Sequence, residues 1–331
     1  SLSTAAIACC SVTGGAAEMR GIKKYALTNN MAMTTAKITV LTSKSTLYLL
    51  YKNLNTLTDN NKYGLCVFFG APSDNWMDVL DKIRKIILGY EEIGSVSENS
   101  KRIVAYMESD GSKLLTYDGV TYSRIVPGLY THSYWDYFIP LAYIYEKPRV
   151  LLIGLGGGTT PTQLETLLGS DLNLDVVEIS RGIVELYKKM APDSKANIII
   201  ADGAKFVSSA EPSSYNLIIL DAYNGSKIPE QFLNEDFVNS AYRVLLPNGI
   251  LAINFVLDTK NILLYHSYIM ALAKHFSTFT LRYKASSLNE IIVAAKGLSK
   301  DQILEGIRKM PTGSENRFLI EDYKRMDQKR F

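Results

Sequence analysis

Residues able to do chemistry stand at four points of the chain. The run Arg149-Val-Leu-Leu-Ile-Gly-Leu-Gly-Gly-Gly-Thr-Thr-Pro161 carries an apolar strand into a turn built on Gly154, Gly156, Gly157 and Gly158. Such a turn lets backbone pass close to a ligand and opens the next helix with free N–H groups facing it. Glu178, Asp202 with Gly203, and Asp221 stand at the ends of the next three apolar segments. In an open parallel sheet, ligands collect at the carboxyl ends of the strands where the strand order reverses. A carboxylate at position 178 accepts both hydroxyls of a ribose, in charge-assisted hydrogen bonds worth about 1.5–3 kcal/mol. Asp202 accepts from an adenine amino group, and Gly203 lets the ring approach. Dinucleotide enzymes need only the first of these contacts; binders of an adenosyl sulfonium use both.

The elements that must position these residues alternate. Arg149–Ile153, Leu174–Val177, Asn197–Ile200, Tyr215–Leu220 and Ile250–Val256 read as strands, with helices between them, one capped by Ser180 and carrying Ile183, Val184, Leu186, Tyr187 and Met190. The last two apolar runs, Phe279–Tyr283 and Glu290–Ala295, are separated by a loop so short that they must form an antiparallel hairpin. The expected fold is α/β: a class I S-adenosylmethionine-dependent methyltransferase (Rossmann-like) sheet with an antiparallel last hairpin, over residues 132–296. Ahead of it, Arg102–Met107, Lys113–Tyr117 and Val120–Ile125 read as a β-meander with Asp-Gly turns, within 97–131. Residues 37–96 are expected to be an N-terminal α/β module, with strands at Ile38–Leu41 and Leu65–Phe69, a helix at Thr46–Leu57, and a second helix carrying Trp76 and ended by Gly89. Residues 1–36 lack periodicity and are expected to be a partly disordered leader. Residues 297–331 are expected to hold one amphipathic helix (Ile303, Leu304, Ile307, Met310) and a charged, solvated end. The aromatic run His132–Tyr145 predicts a helix broken by Pro140, with Tyr134, Trp135 and Tyr137 as candidate pocket lining.

Composition narrows the partners. In 331 residues the formal charge is only +3, with Lys and Arg dispersed among Asp and Glu, so nucleic acid is not the expected partner. No apolar run reaches the ~18 residues of a bilayer span, and no basic segment precedes the apolar start as in a secretory signal. A cytoplasmic protein without a membrane partner is expected. Cys9, Cys10 and Cys66 and the scattered His132, His266 and His275 offer no metal-ligand spacing, so no metal is expected.

From about Leu114 to Lys296 the chain resembles the polyamine aminopropyltransferases, the spermidine synthase family, and most of all their divergent methyltransferase-like branch. The resemblance rests on Asp118-Gly119, on VLLIGLGGG (150–158), VVEIS (176–180) and ADGAKF (201–206), and on the run from Tyr215 to Phe255. It implies an aminopropyl donor, decarboxylated S-adenosylmethionine, a small-molecule amine acceptor such as putrescine, and a homodimer. Carried over residue by residue, Asp221 and Asn224 are the catalytic candidates and Tyr122 a substrate-binding one; Tyr137 of the aromatic run and Tyr223, two residues after Asp221, are the other candidate substrate-binding residues. Three positions depart from the family pattern: Gly157 stands where spermidine-forming members have an Asp, Asn224 where they have a second Asp, and Tyr122 where they have a glutamine. An alkylamine has a pKa near that of lysine, ~10.4, and arrives as a cation. Asn224 accepts a hydrogen bond but takes no proton, which leaves the acid–base work to Asp221. Two alternatives follow from these departures: a methyltransferase using S-adenosylmethionine itself, with Gly157 leaving room at the donor's amino-acid end, and a nucleoside-binding protein without turnover.

Overall fold

Four apolar residues in a row, Val150 to Ile153, can be hidden only in a strand covered on both faces, and all four are at most 1% exposed in the computed structural model. The structure describes residues 8–12, 23–27, 36–42, 46–53, 63–69, 89–98, 100–117, 120–225, 227–257, 261–282 and 288–329. The chain divides into two compact units, Ser1–Ile83 and Arg84–Phe331.

In the first unit, β1 (Ala8–Val12), β2 (Lys23–Leu27), β3 (Ala36–Thr42), β4 (Thr46–Asn53) and β5 (Tyr63–Phe69) form an antiparallel sheet in the order β1-β5-β4-β3-β2. Thr46–Asn53 is therefore a strand, not the helix its leucines suggested. Lying between β3 and β5, it has ladder partners on both edges, and sheet context overrides local helical preference. β1 and β2 fall within the stretch expected to be a leader. The helix carrying Trp76 and the Asp118-Gly119 turn lie outside the described residues.

The second unit opens with β6 (Glu91–Glu98), β7 (Lys101–Met107), β8 (Lys113–Tyr117) and β9 (Val120–Ile125), paired in that order. The meander thus has a strand the sequence did not signal. β6 is an edge strand with mostly polar residues and a register irregularity near Glu92, so it lacks clean alternation. A 3₁₀ turn, Tyr134–Phe138, runs into the short helix α1 (Ile139–Ala142). Pro140 does not break this segment, because it sits in the first turn, where a missing N–H costs nothing.

The main sheet follows: β10 (Arg149–Ile153), β11 (Asn173–Glu178), β12 (Asn197–Ile200), β13 (Tyr215–Leu220), β14 (Leu245–Val256), β15 (Ser277–Leu281), β16 (Asn289–Ala295) and β17 (Asp327–Lys329), in the order β12-β11-β10-β13-β14-β16-β15-β17. β10 to β14 are mutually parallel, whereas β16 runs antiparallel to both β14 and β15. This is the expected class I methyltransferase-like sheet with its closing hairpin. The helices are α2 (Thr159–Leu168), α3 (Arg181–Met190), α4 (Gly203–Ser209), α5 (Glu235–Val244), α6 (Ile262–Ala273), α7 (Lys300–Ile307) and α8 (Arg317–Lys324). Val150 and Leu152 pack on one face with Leu115, Tyr137, Tyr187 and Tyr323; Leu151 and Ile153 pack on the other with Phe237, Phe255 and Tyr268.

The end of the chain corrects a second expectation. Leu319, Tyr323 and Met326 are fully buried, and β17 pairs with β15 at the sheet edge. Only one side of α8 is charged, and the buried stripe at Leu319, Ile320 and Tyr323 was too short to stand out from its neighbours. Tyr323→Ala should therefore lower the unfolding free energy by roughly 3 kcal/mol in urea denaturation, where a solvated tail would lose less than about 0.5 kcal/mol.

Candidate functional site

The site begins where three parallel strands end together. Gly154 N–H donates to the Val177 carbonyl of β11 at 2.9 Å, and Asp221 N–H donates to the Ile153 carbonyl of β10 at 2.9 Å. Gly154 has φ +94°, and a Cβ there would lie 2.3 Å from the Asp221 carbonyl oxygen, so no other residue fits. The turn then passes beneath the meander. A Cβ on Gly156 would touch the Tyr122 carbonyl at 3.4 Å, and one on Gly158 would lie 2.0 Å from the Tyr187 ring. At Gly157 a Cβ would lie 2.8 Å from Leu115 Cβ and 2.9 Å from Ser123 Cβ. The space expected above Gly157 is filled by β8 and β9.

The start of α2 is likewise engaged. Thr159 N–H donates to Ser123 Oγ at 3.2 Å, and Thr159 Oγ1 lies 2.6 Å from that hydroxyl, donates to the Arg124 carbonyl at 3.0 Å and accepts from Arg124 N–H at 2.9 Å. Instead of facing a ligand, the first N–H of this helix fastens the meander to the loop.

Glu178 and Asp221 flank Gly154. Glu178 is 7% exposed and accepts from Leu155 N–H at 2.9 Å and from Ser180 N–H at 2.9 Å, one bond to each carboxylate oxygen. Burial pushes its pKa up, while the Leu155, Ser180 and Ile179 amides pull it down. Each oxygen retains acceptor capacity for a further donor. Ser180 accepts from Ile183 N–H at 3.0 Å, capping α3, and its hydroxyl donates to Glu98 of β6. Asp202 caps α4, accepting from Ala204 N–H at 2.9 Å and Lys205 N–H at 3.1 Å, with the Gln231 amide at 3.4 Å from its other oxygen. Gly203 does not open space for a ring: a Cβ there would lie 2.4 Å from Ile153 Cγ2 and 3.3 Å from Phe232, so its glycine serves packing of helix on strand.

On the other side, Asp221 Oδ1 accepts from Asn254 Nδ2 at 2.9 Å and Oδ2 from the Tyr134 hydroxyl at 3.3 Å, with a further side-chain bond to Trp135. Desolvation by these groups raises its pKa to about 6, against the pull of the three donors. The Tyr134 phenol is pushed well above its usual range, first by burial and then by the Asp221 charge. Asn289 Nδ2 donates to Asn254 Oδ1 at 2.9 Å, so the Asn254 amide is held in the orientation that faces Asp221. Tyr223 donates to the Asn254 carbonyl at 2.6 Å and accepts from Val256 N–H at 3.1 Å, which commits its hydroxyl to the end of β14. Tyr122 reaches from β9 to the Gly225 carbonyl at 3.2 Å. Asn224 is exposed, in a narrow turn whose backbone pairs it with Lys227.

Tyr137 is not part of this cluster. It is 1% exposed and donates to Asp322 Oδ2 of α8 at 2.5 Å. Tyr134 and Trp135 reach Asp221 instead. Sequence reasoning also missed Asn254 and Asn289; the available signal was a lone amide inside the apolar run Leu251–Val256, since a buried amide needs partners.

The Asp221 environment has a consequence for stability. A carboxylate whose folded pKa lies above its unfolded value of 3.8 binds its proton more tightly when folded, so its contribution falls as pH rises from about 4 through about 6. Asp221→Asn removes the cost of the buried charge and should raise stability by about 2 kcal/mol at pH 8, with the gain vanishing near pH 4, in denaturation measured across that range.

Residues 138–289 match the family model described as the spermine/spermidine synthase domain. Polyamine aminopropyltransferases are among the similar proteins: that of Vibrio vulnificus is 33% identical over 33% of this chain and 38% of its own length. That of Clostridioides difficile is 31% identical over 46% of this chain and 55% of its own length. The Chromobacterium violaceum protein is 26% identical over 69% of this chain and 82% of its own. This chain thus spans about half, or less, of the first two relatives. Among solved structures, spermidine synthase from Thermotoga maritima superposes with a TM-score of 0.55 at 19% identity, covering 70% of this chain and 84% of that one. That likeness is one of fold.

Proposed function

We propose, from the match of residues 138–289 to the spermine/spermidine synthase domain, that this chain is a transferase moving an aminopropyl group from decarboxylated S-adenosylmethionine to an amine. The observation that carries the reading is the junction at Gly154, which brings Glu178 and Asp221 to either side of one glycine loop. The donor supplies the reactive carbon on a sulfonium. Glu178 accepts the ribose hydroxyls with the lone pairs left over from Leu155 and Ser180, and Asp202 marks the adenine end. Asp221 receives the acceptor nitrogen among Tyr134, Trp135, Tyr122 and Tyr223.

The chemistry asked of the chain is orientation and one proton. The acceptor nitrogen must arrive unprotonated and aimed along the C–S axis; alignment of this kind contributes several kcal/mol to barrier lowering. With a pKa of about 6, Asp221 is mostly ionised at neutral pH and takes the ammonium proton as the N–C bond forms and the C–S bond breaks. Asn224, exposed in its turn, contributes hydrogen bonding alone. The same reading makes the protein a cytoplasmic homodimer that needs no metal. Methyl transfer from S-adenosylmethionine loses its particular support, because the space it required at Gly157 is taken by Leu115 and Ser123.

Calorimetry with S-adenosylmethionine, its decarboxylated form, S-adenosylhomocysteine and methylthioadenosine tests the assignment. Tightest binding is expected for the decarboxylated donor, and no heat with any of the four refutes it. Glu178→Gln should weaken nucleoside binding roughly 10- to 100-fold, the worth of charge-assisted bonds of about 1.5–3 kcal/mol. Gly157→Asp should not improve donor binding; its Cβ collides with Leu115 and Ser123, so the variant should lose at least about 1 kcal/mol of stability in thermal or urea unfolding.

A further inference from the structure

The 3₁₀ turn that presents Tyr134 and Trp135 to Asp221 is held from behind by the end of the chain. Asn316 Nδ2 donates to the Tyr130 hydroxyl at 2.8 Å, and the Phe318 ring lies against His132 and Tyr137, with centroids at 5.1 and 6.2 Å. Tyr137 donates to Asp322 Oδ2 at 2.5 Å, and the Tyr323 hydroxyl donates back to the Tyr137 carbonyl. Asp322 is itself steadied by Arg325, 2.6 Å from its other oxygen. A second anchor lies on the helix side. Asp136, with no exposed surface, accepts from Thr131 N–H and Oγ1, His132 N–H and Gln163 Nε2 at 2.6–3.0 Å. Within one turn, then, Tyr134 and Trp135 reach the candidate acid–base group while the Tyr137 hydroxyl bonds to the tail.

We propose that Tyr137 and Asp322 are positioning residues, whose hydrogen bond fixes the Tyr134–Trp135 turn against Asp221 and makes the C-terminal segment part of the site. A 3₁₀ turn of five residues has no slack to absorb a shift at one end. Loss of the Tyr137–Asp322 bond moves the two aromatic donors relative to the carboxylate they solvate. The titratable and hydrogen-bonding groups facing Asp221 are Tyr134 and Trp135 of the turn, Tyr223 of the loop after β13 and Asn254 of β14. Those facing Tyr137 are Asp322 and Tyr323 of α8 and Asp136. The inference rests on the assignment of Asp221 as the proton-exchanging group, and its test does not need turnover.

The chain has two tryptophans, so Trp76→Phe in the full-length protein leaves Trp135 as the sole reporter. Its fluorescence, followed against pH, should show a transition near pH 6 that Asp221→Asn abolishes. In this background Tyr137→Phe and Asp322→Ala should each move the midpoint by at least about half a pH unit, as altered solvation of a carboxylate does. Asp322→Asn, which keeps an acceptor for the phenol, should leave it in place. Leu272→Ala, a core change on the opposite face of the sheet, controls for lost stability and should not move it. An unmoved midpoint in either Tyr137→Phe or Asp322→Ala, a moved one in Asp322→Asn, or an equal shift in Leu272→Ala overturns the positioning role. A parent protein with no Asp221-dependent transition overturns the proposal together with the assignment beneath it. Absence of aminopropyl transfer with the midpoints shifted as expected refutes the proposed function alone.

Discussion

Everything in the candidate site depends on how closely three parallel strands approach at the end of β10. With Gly154 bonded to Val177 on one side and its missing Cβ 2.3 Å from the Asp221 carbonyl on the other, the sheet leaves no space for a side chain. The strand order reverses at this point, since β11 and β13 lie on opposite sides of β10 although the chain visits them in one direction. The approach places two carboxylates beside one loop, and the environments on the two sides then make them different. Glu178 is solvated by one backbone amide of the glycine loop and one of its own, whereas Asp221 is surrounded by aromatic rings and one side-chain amide. Fixed amide dipoles favour the charged form; rings that exclude water oppose it.

The meander is a structural partner of the glycine loop as well as a neighbour. Thr159 exchanges hydrogen bonds with Ser123 and Arg124, and Leu115 and Ser123 press on Gly157, so the loop is gripped between β8–β9 and the main sheet. Glycine-rich turns are commonly read as making room for a ligand. Here Gly157 makes room for Leu115 and Ser123 and Gly158 for Tyr187, and beyond the turn Gly203 makes room for Ile153. The ligand-facing part of the site is accordingly narrower than the glycine count suggests, and it is concentrated at Glu178 and around Asp221.

Much of the main sheet was legible because parallel strands covered on both faces must be continuously apolar, and the runs at Val150–Ile153 and Leu217–Leu220 have no alternative. The closing hairpin was legible from loop length alone. Thr46–Asn53 was misread because leucine and tyrosine suit a helix or a strand until neighbours with free ladder edges decide between them. The burial of the tail was hidden for a related reason: Leu319 and Tyr323 are too few to establish a period, and only the surface beneath them reveals which side of α8 is covered.

The sequence by itself determined the succession of main-sheet strands and helices from Arg149 to Ala295, the position of the glycine turn, and the acidic residues at the strand ends, because backbone geometry and burial constrain residue type locally. Tertiary structure decided which of those residues share an environment. Tyr137 and Tyr134 are three positions apart in one aromatic run, yet one bonds to Asp322 and the other to Asp221. Asn254 and Asn289, on adjacent antiparallel strands, orient the Asp221 carboxylate without belonging to any motif. Proximity across strands is a property of register and packing, and the physical chemistry of a buried carboxylate is set by whatever that packing brings within hydrogen-bonding distance.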